Sequence, residues 1–545
     1  MFRLASLTTV AAGLALAGMI YALSDPKSEA AAAKAHSLFQ TADGCMACHN
    51  GLVTPSGEDV SIGFDWRASM MANSSRDPYW QASVRREIMD HPRAQEGIED
   101  ECSKCHMPMA RFEAKTSGRK GTVFAHLPLG TGAVRSDRLA GDGVSCTICH
   151  QITDAGFGTR ESFVGGFSVD TSKPKGERAI YGPFRIDLGR TTIMRSATGF
   201  KQTESTHIQK SELCATCHTL YTKALDSNGD VAGELPEQVP FQEWLHSSYR
   251  GEKSCQDCHM PVVKEPAAIT AVLGEPREGF SRHDFRGGNF FVLKMLDRFR
   301  SELAVEALPT ELELAARKTR DNLQNETARV SVDKAEVRGD RLQADVSIVN
   351  LTGHKLPTAY PSRRAWLHAT VRDANGRVLF ESGALAANGQ IQGNDHDAAP
   401  TRYEPHYEEI RRDDEVQIYE SIMVDSANAV TTGLLSALRY IKDNRLLPKG
   451  FDKATAGQDI AVHGSASGDA SFVGGSDQVR YIVNVAGATG PFVVEAELWY
   501  QPIGYRWAQN LGSYDAGETK RFLQYYESMA ASAGIILARN SATAR

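Results

Sequence analysis

No cysteine follows Cys258 in this chain of 545 residues. The C-terminal half can therefore hold neither a disulfide nor a thiolate metal site, and must fold on an apolar core alone. Basic charge is also in short supply. Lys and Arg number 60 against 67 Asp and Glu, for a net charge of −7, and no basic run occurs. That excludes nucleic acid as a partner class. No second apolar run matches the N-terminal one in length, which excludes a multi-spanning membrane protein. There is no low-complexity tail, and no repeat beyond one five-residue motif. The composition left over, 41% hydrophobic and 23% charged, is that of an ordinary globular chain.

The N-terminus, MFRLASLTTVAAGLALAGMIYALS, has Arg3 and then an uncharged, mostly apolar run from Leu4 to Ser24. This is the pattern of a secretory signal, with small-residue cleavage sites near Ser24 and Ala30. Left uncut, the run is long enough to anchor the chain in a membrane. No Cys follows it at once, which argues against a lipoprotein anchor. Either way the body is expected in the periplasm or on an extracytoplasmic surface.

In such a compartment ten cysteines would ordinarily mean disulfides. Their spacing says otherwise. They form five C-x-x-C pairs, each followed at once by His: Cys45, Cys48, His49; Cys102, Cys105, His106; Cys146, Cys149, His150; Cys214, Cys217, His218; and Cys255, Cys258, His259. This is the attachment motif of haem c, in which two thiols add to the vinyl groups and the adjoining His reaches the iron. Structural zinc also uses C-x-x-C, but two pairs per ion would leave one pair over. The expectation is five covalent haems c and no disulfide. Helical turns are expected to start at the motifs, with a short helix over Asp77–Met89 and mostly irregular chain elsewhere, as at Gly156–Gly182.

The sixth ligand decides what such irons do. Two strong ligands leave only electron transfer, whereas an open face binds substrate. Among the histidines outside the motifs, His91, His126, His207, His283 and His354 have the contexts of distal ligands, with His36 and His246 in reserve. His368 reads as a structural strand residue, and His396, His406 and His463 as solvated loop residues. Met70, Met71, Met107, Met109 and Met260 lie near motifs and read mostly as packing against haem edges. Arg67, Arg185, Arg282, Arg363 and Arg364 are natural partners for haem propionates. No catalytic residue is assigned.

The pattern changes after Gly288. FFVLKMLDRFRSELAVEAL and PTELELAARKTRDNLQ space apolar residues at three and four, which predicts a helical hairpin. From Ala328 alternating runs dominate, with DANG and RGD as turns, which predicts an antiparallel β-sandwich of the immunoglobulin-like class. One helix, TTGLLSALRYIKDN, interrupts it, and a last helix over GETKRFLQYYESMAASA closes the chain. The expected class is α+β. The expected layout is a signal or anchor over 1–30, a pentahaem domain over 31–288, a hairpin over 289–326, a β-sandwich over 327–513, and a C-terminal helix and tail over 514–545.

The strings DGVSCTICHQI, YGPF, SELCATCHTLY, PEQVPFQEWLHSS, CQDCHMP, HDFRGGNFF and TGHKLPT together resemble a group of bacterial multihaem c-type cytochromes. That group is related in haem packing to hydroxylamine oxidoreductase, pentahaem nitrite reductase and the tetrahaem carriers of nitrifiers. The resemblance runs from about Gly44 to Phe522. It implies a haem domain, a helical hinge and a C-terminal β-sandwich, and it suggests His283 and His354 as axial ligands. The chain departs from the enzymes. It has no Lys in place of a motif His, as the nitrite reductases have, and fewer haem motifs than hydroxylamine oxidoreductase. An electron carrier is the leading reading, with other cytochromes, a membrane quinol oxidoreductase or a porin complex as partners. An oxidoreductase with one five-coordinate haem, acting on a small nitrogen or sulfur compound, is the alternative. A docking subunit that binds through its β-domain is compatible with the first.

Overall fold

Between the motifs the chain forms short helices joined by turns, and regular sheet is confined mainly to the second half. The computed structural model describes residues 37–131, 134–226 and 228–545. The N-terminal apolar run and His36 lie outside these. No helix among the described residues is long and apolar enough to cross a membrane. The class is mixed α+β.

The motifs sit on single helical turns, because Cys at i and i+3 and His at i+4 then share one face. Cys146–Cys149 and Cys255–His259 open helices, the second under a capping box of Ser254 and Asp257. The expectation that all five open helices does not hold. The motifs at Cys102 and Cys214 close the helices Gln95–His106 and Ser211–His218. One turn is all the motif needs, and either end of a helix supplies it.

The helix Pro78–Asp90 starts as its sequence dictates. Pro78 takes the first position, and the Asp77 carboxylate accepts from the Tyr79 and Trp80 amides at 2.9 and 3.3 Å. The hairpin comprises Phe290–Arg298 and Pro309–Glu326. Its first arm is nearly all buried, and its apolar residues join a core that continues into the β half.

Beside a small sheet of Val430–Thr431, Ser421–Val424 and Arg439–Asp443, two larger sheets make that half. One has the order Ile418–Tyr419, Arg364–Arg372, Phe492–Gln501 and Ile535–Ala544, with Val378–Ser382 also on Arg364–Arg372. The other runs Ala328–Arg338, Arg341–Asn350, Ser476–Asn484 and Glu409–Ile410. Inward residues of both, such as Val346, Tyr481, Leu367 and Leu498, share one core. The last pair of the second sheet is parallel, so the arrangement is not purely antiparallel.

Three expectations need correction. TTGLLSALRYIKDN is not a helix. Its second part is the strand Arg439–Asp443, in which Tyr440 and Lys442 are buried on alternate positions, and its Leu434 and Leu435 amides donate to the Glu87 carboxylate. The closing helix Gly517–Met529 does not end the fold, because Ile535–Ala544 returns as a strand beside Phe492–Gln501. His396 and His406 are not solvated but buried. Amides of Gln417 and Asn444 donate to His406 Nδ1 at 2.8 and 3.1 Å, so the proton is on Nε2, which donates to Asp469 at 3.0 Å.

Candidate functional site

One cavity of about 1620 Å³ runs through the first half and under the β-domain. Ordinary small-ligand pockets hold ~300–1,000 Å³. All ten cysteines line this one, together with all five motif histidines, His283 and His354. Zinc would need four donors to converge. Among the described residues the one group of three or more His, Cys, Asp or Glu side chains at metal-binding distance is His406, Asp469 and Asp477, far from any cysteine in sequence and made of no thiol.

Thiols of separate motifs lie beside one another: Cys45 near Cys146, Cys105 near Cys217, and Cys214 near Cys255. Cys149 also lies within electrostatic range of Cys217. In space the motifs therefore run first, third, fourth, with the second and fifth both beside the fourth.

The motif imidazoles are held for ligation. Nδ1 of His49, His106 and His150 donates to the carbonyls of Ile269, Ser74 and Tyr181 at 2.5, 2.9 and 2.6 Å, and that of His259 to Arg286. A carbonyl can only accept, so each Nδ1 bears the proton and Nε2 keeps a lone pair, the tautomer a metal needs. Burial lowers the pKa of His106 and His218 to about 4 and keeps them neutral. Trp80 stacks on His106 at 4.3 Å between ring centres.

Two distal candidates stand opposite motif histidines. His283 faces His150 and His354 faces His259, each pair with ring centres 6.2 Å apart and planes within 17° and 16° of parallel. Two imidazoles on opposite sides of one metal ion, at the ~2.0–2.1 Å usual for metal–imidazole nitrogen, put their ring centres roughly 6.3 Å apart. Nδ1 of His283 donates to the Ser281 carbonyl at 3.1 Å and that of His354 to the Lys355 carbonyl at 2.9 Å, again leaving Nε2 free. These spacings fit a haem iron between each pair.

The structure does not bring His91, His126 or His207 opposite any motif histidine. His207 Nε2 donates to the Ile152 carbonyl at 2.8 Å. His126 pairs with Asp137 at 2.8 Å, and His91 Nε2 meets the Ser436 hydroxyl at 3.1 Å. None of the three lines the cavity. His246, held in reserve, donates from Nε2 to the Asp452 carbonyl at 3.0 Å. Sequence context places a histidine near a motif in the chain, but ligation depends on where its ring nitrogens point. Among the described residues no second imidazole faces His49, His106 or His218 as these two pairs face each other.

The arginines also separate. Arg67, Arg282 and Arg364 are tied to protein carboxylates, those of Glu311, of Asp65 and Glu58, and of Asp397. Arg363 lines the cavity near His218 and His259, and its Nη1 donates only to the Thr358 carbonyl at 3.1 Å. It and Arg185, which also lines the cavity, are the arginines of the five placed to meet a propionate.

The loop TGHKLPT is fastened from below. Lys355 is fully buried, its Nζ donates to Asp443 at 2.7 Å, and its amide donates to Glu243 at 3.0 Å. Thr358 also donates to Glu243, at 2.6 Å. Arg445 joins Asp443 at 2.7 Å and Glu243 at 3.1 Å. Glu243 lies on the helix Pro240–Leu245 of the first half, so this network locks the β-domain to the motif-bearing domain. Gly353 permits the approach. A Cβ there would lie 3.3 Å from Trp244 Cδ1 and 3.4 Å from Tyr249 Cβ.

Sequence reading missed a buried acid beside the second motif. Burial pushes Glu237 up to about 7, against the opposing pull of the Thr222 hydroxyl and the Gln238 amide. Its folded pKa is raised, so the folded protein keeps a proton that the unfolded chain releases. Stability should therefore fall as pH rises from the ordinary carboxylate range to about 7, by up to ~1.4 kcal/mol per pH unit. Glu237→Gln is expected to flatten that slope and to exceed the wild type above pH 7. Urea unfolding across a pH series checks this, and an unchanged slope would assign the titration to another group.

No family model matches the chain, and no curated protein matches it. A solved structure does. The fold is similar to that of a penta-heme cytochrome c552 from Thermochromatium tepidum. The TM-score is 0.54 at 16% sequence identity, over 92% of this chain and 98% of that one. Because the match spans nearly all of both chains, the likeness covers the motif-bearing half and the β half together.

Proposed function

We propose that this protein is a multihaem c-type cytochrome that carries electrons through five covalently bound haems outside the cytoplasm. The observation that carries the reading is the convergence of all five CxxCH motifs on one cavity, with His150–His283 and His259–His354 at the spacing of bis-histidine irons. The Cys pairs would hold the porphyrins, the five motif histidines the irons, and His283 and His354 two of the distal faces. The haems supply the redox chemistry when bound. The polypeptide orients them, keeps the imidazoles neutral and excludes water. The contiguous motif order gives electrons a path with the fourth motif as its junction. Partners of this reading are other redox proteins, among them a membrane quinol oxidoreductase, another cytochrome or a porin complex. A retained N-terminal anchor would hold it at the membrane.

A second reading, an oxidoreductase with one five-coordinate haem acting on a small nitrogen or sulfur compound, is favoured by the lack of a facing imidazole at His49, His106 and His218 among the described residues. Electron paramagnetic resonance of the oxidised holoprotein separates the two. Five low-spin irons are the carrier's expected result. A stoichiometric high-spin signal that shifts on adding nitrite, hydroxylamine or sulfite would replace it with the enzyme.

A further inference from the structure

The motif at Cys45 lacks an imidazole opposite His49 among the described residues, yet one helix is built across it. Leu188–Thr198 is the crossover between the parallel strands Arg178–Gly182 and Phe200–Glu204. Its N-terminal end is tied to one wall of the motif: Arg190 Nε donates to the Leu273 carbonyl at 2.6 Å, and two residues earlier the Ala271 amide donates to the Cys48 carbonyl at 2.8 Å. Its C-terminal end is tied to the other wall, where Gln40 Nε2 donates to the Thr198 carbonyl at 2.6 Å. The helix thus spans the two segments that flank CMACH.

No residue of this helix is buried against protein. Arg190, Ile193, Met194 and Ala197, spaced i, i+3, i+4 and i+7, instead line the cavity. An eleven-residue helix with no protein core of its own is marginal in water. An apolar stripe turned to the cavity accounts for it if a porphyrin completes the packing. On that stripe Met194 alone carries an atom that ligates iron. Of the other methionines that line the cavity, Met46 lies inside CMACH itself and Met260 directly follows the motif histidine His259, so both are held on the proximal side of an iron. Met107 and Met109 are fully buried in a protein core, and Met70 and Met71 lie on the loop whose Ser74 carbonyl holds His106.

We infer that Met194 is the distal ligand of the iron bound through Cys45, Cys48 and His49, which makes that haem a His–Met centre. This rests on the haem reading above. Thioether ligation raises a haem's potential over bis-histidine ligation. The first motif stands at one end of the spatial order, so the centre would be the high-potential terminus of the path, covered by a helix that also shields its iron from substrate.

The test uses holoprotein whose haem load is counted by mass. With five haems present, the oxidised wild type is expected to show a sulfur-to-iron charge-transfer band at the red edge of the visible spectrum, from one haem in five. Met194→Ala should abolish it and turn one haem high-spin. Met194→His should abolish it, stay low-spin and remove the highest-potential fifth of the redox titration. Met71→Leu should leave the band intact. A wild type without the band, a Met194→Ala protein that keeps it, or its loss in Met71→Leu overturns the assignment. A mass showing fewer than five haems overturns the reading beneath it.

Discussion

His354→Ala should convert one haem in five from low-spin to high-spin and let that iron bind carbon monoxide on reduction. The ring of His354 is parallel to that of His259 at 6.2 Å, and its Nδ1 proton is committed to the Lys355 carbonyl, so only Nε2 can face a metal between them. Alanine removes that nitrogen, and no other imidazole of the described residues replaces it. His283→Ala should do the same to the haem at His150, and the double variant should give two high-spin irons. His207→Ala is the informative contrast. Its Nε2 proton goes to the Ile152 carbonyl, so its loss should leave the spin states unchanged despite its place seven residues ahead of Cys214. Low-temperature electron paramagnetic resonance and carbon monoxide titration give the counts. An unchanged count in His354→Ala would remove it as a ligand.

Asp443→Ala should be the most destabilising single change in the β-domain. It leaves Lys355 Nζ, fully buried, with one long contact to the Ala461 carbonyl at 3.3 Å, and it takes from Arg445 its closest carboxylate. Removing one partner of a buried ion pair costs about 3–5 kcal/mol, mostly because the other charge is stranded. Lys355→Met should cost less, since Asp443 keeps Arg445 and the volume is nearly conserved. Burial alone would raise the Asp443 pKa, but Arg445 and Lys355 outweigh it and hold it well below the usual carboxylate range. With the folded value depressed, the contribution is intact above the unfolded pKa and fades only as pH falls below about 4. Denaturant unfolding at pH 7 and pH 3 checks both statements, because the gap between wild type and Asp443→Ala should narrow at the lower pH. The same variant should loosen the TGHKLPT loop, so part of its haem at His259 should go high-spin.

Local rules made much of this legible. The five motifs, the Asp77–Pro78 helix start and the helical hairpin all follow from spacing within a few turns of chain, where 3.6-residue periodicity and capping operate. The helix expected over TTGLLSALRYIKDN failed because apolar residues at mixed spacing fit both periods, and pairing with the preceding strand Ser421–Val424, together with the carboxylate of Glu87 far off in sequence, decided for the extended form. The final strand escaped for the same reason. IILARNSATA alternates weakly, and it is a strand because Phe492–Gln501 offers it an open edge.

The candidate distal histidines divide along the same line. Residue context alone offers His283 and His354 alongside His91, His126 and His207, and only the resemblance carried by HDFRGGNFF and TGHKLPT favours the first two. What separates them is what lies beyond Nε2: His150 for His283 and His259 for His354, but the Ile152 carbonyl for His207 and the Ser436 hydroxyl for His91. The sequence by itself pointed to the cofactor chemistry, because two thiols and an imidazole at haem c spacing recur in five short segments. Only the tertiary structure decided how the segments meet: that thiols of separate motifs lie side by side, that Glu243, Asp443 and Arg445 enclose Lys355, and that a loop of the cysteine-free half is thereby held with His354 facing His259. Burial and electrostatics act between residues brought together from across the chain, and that pairing is not written in any one stretch of it.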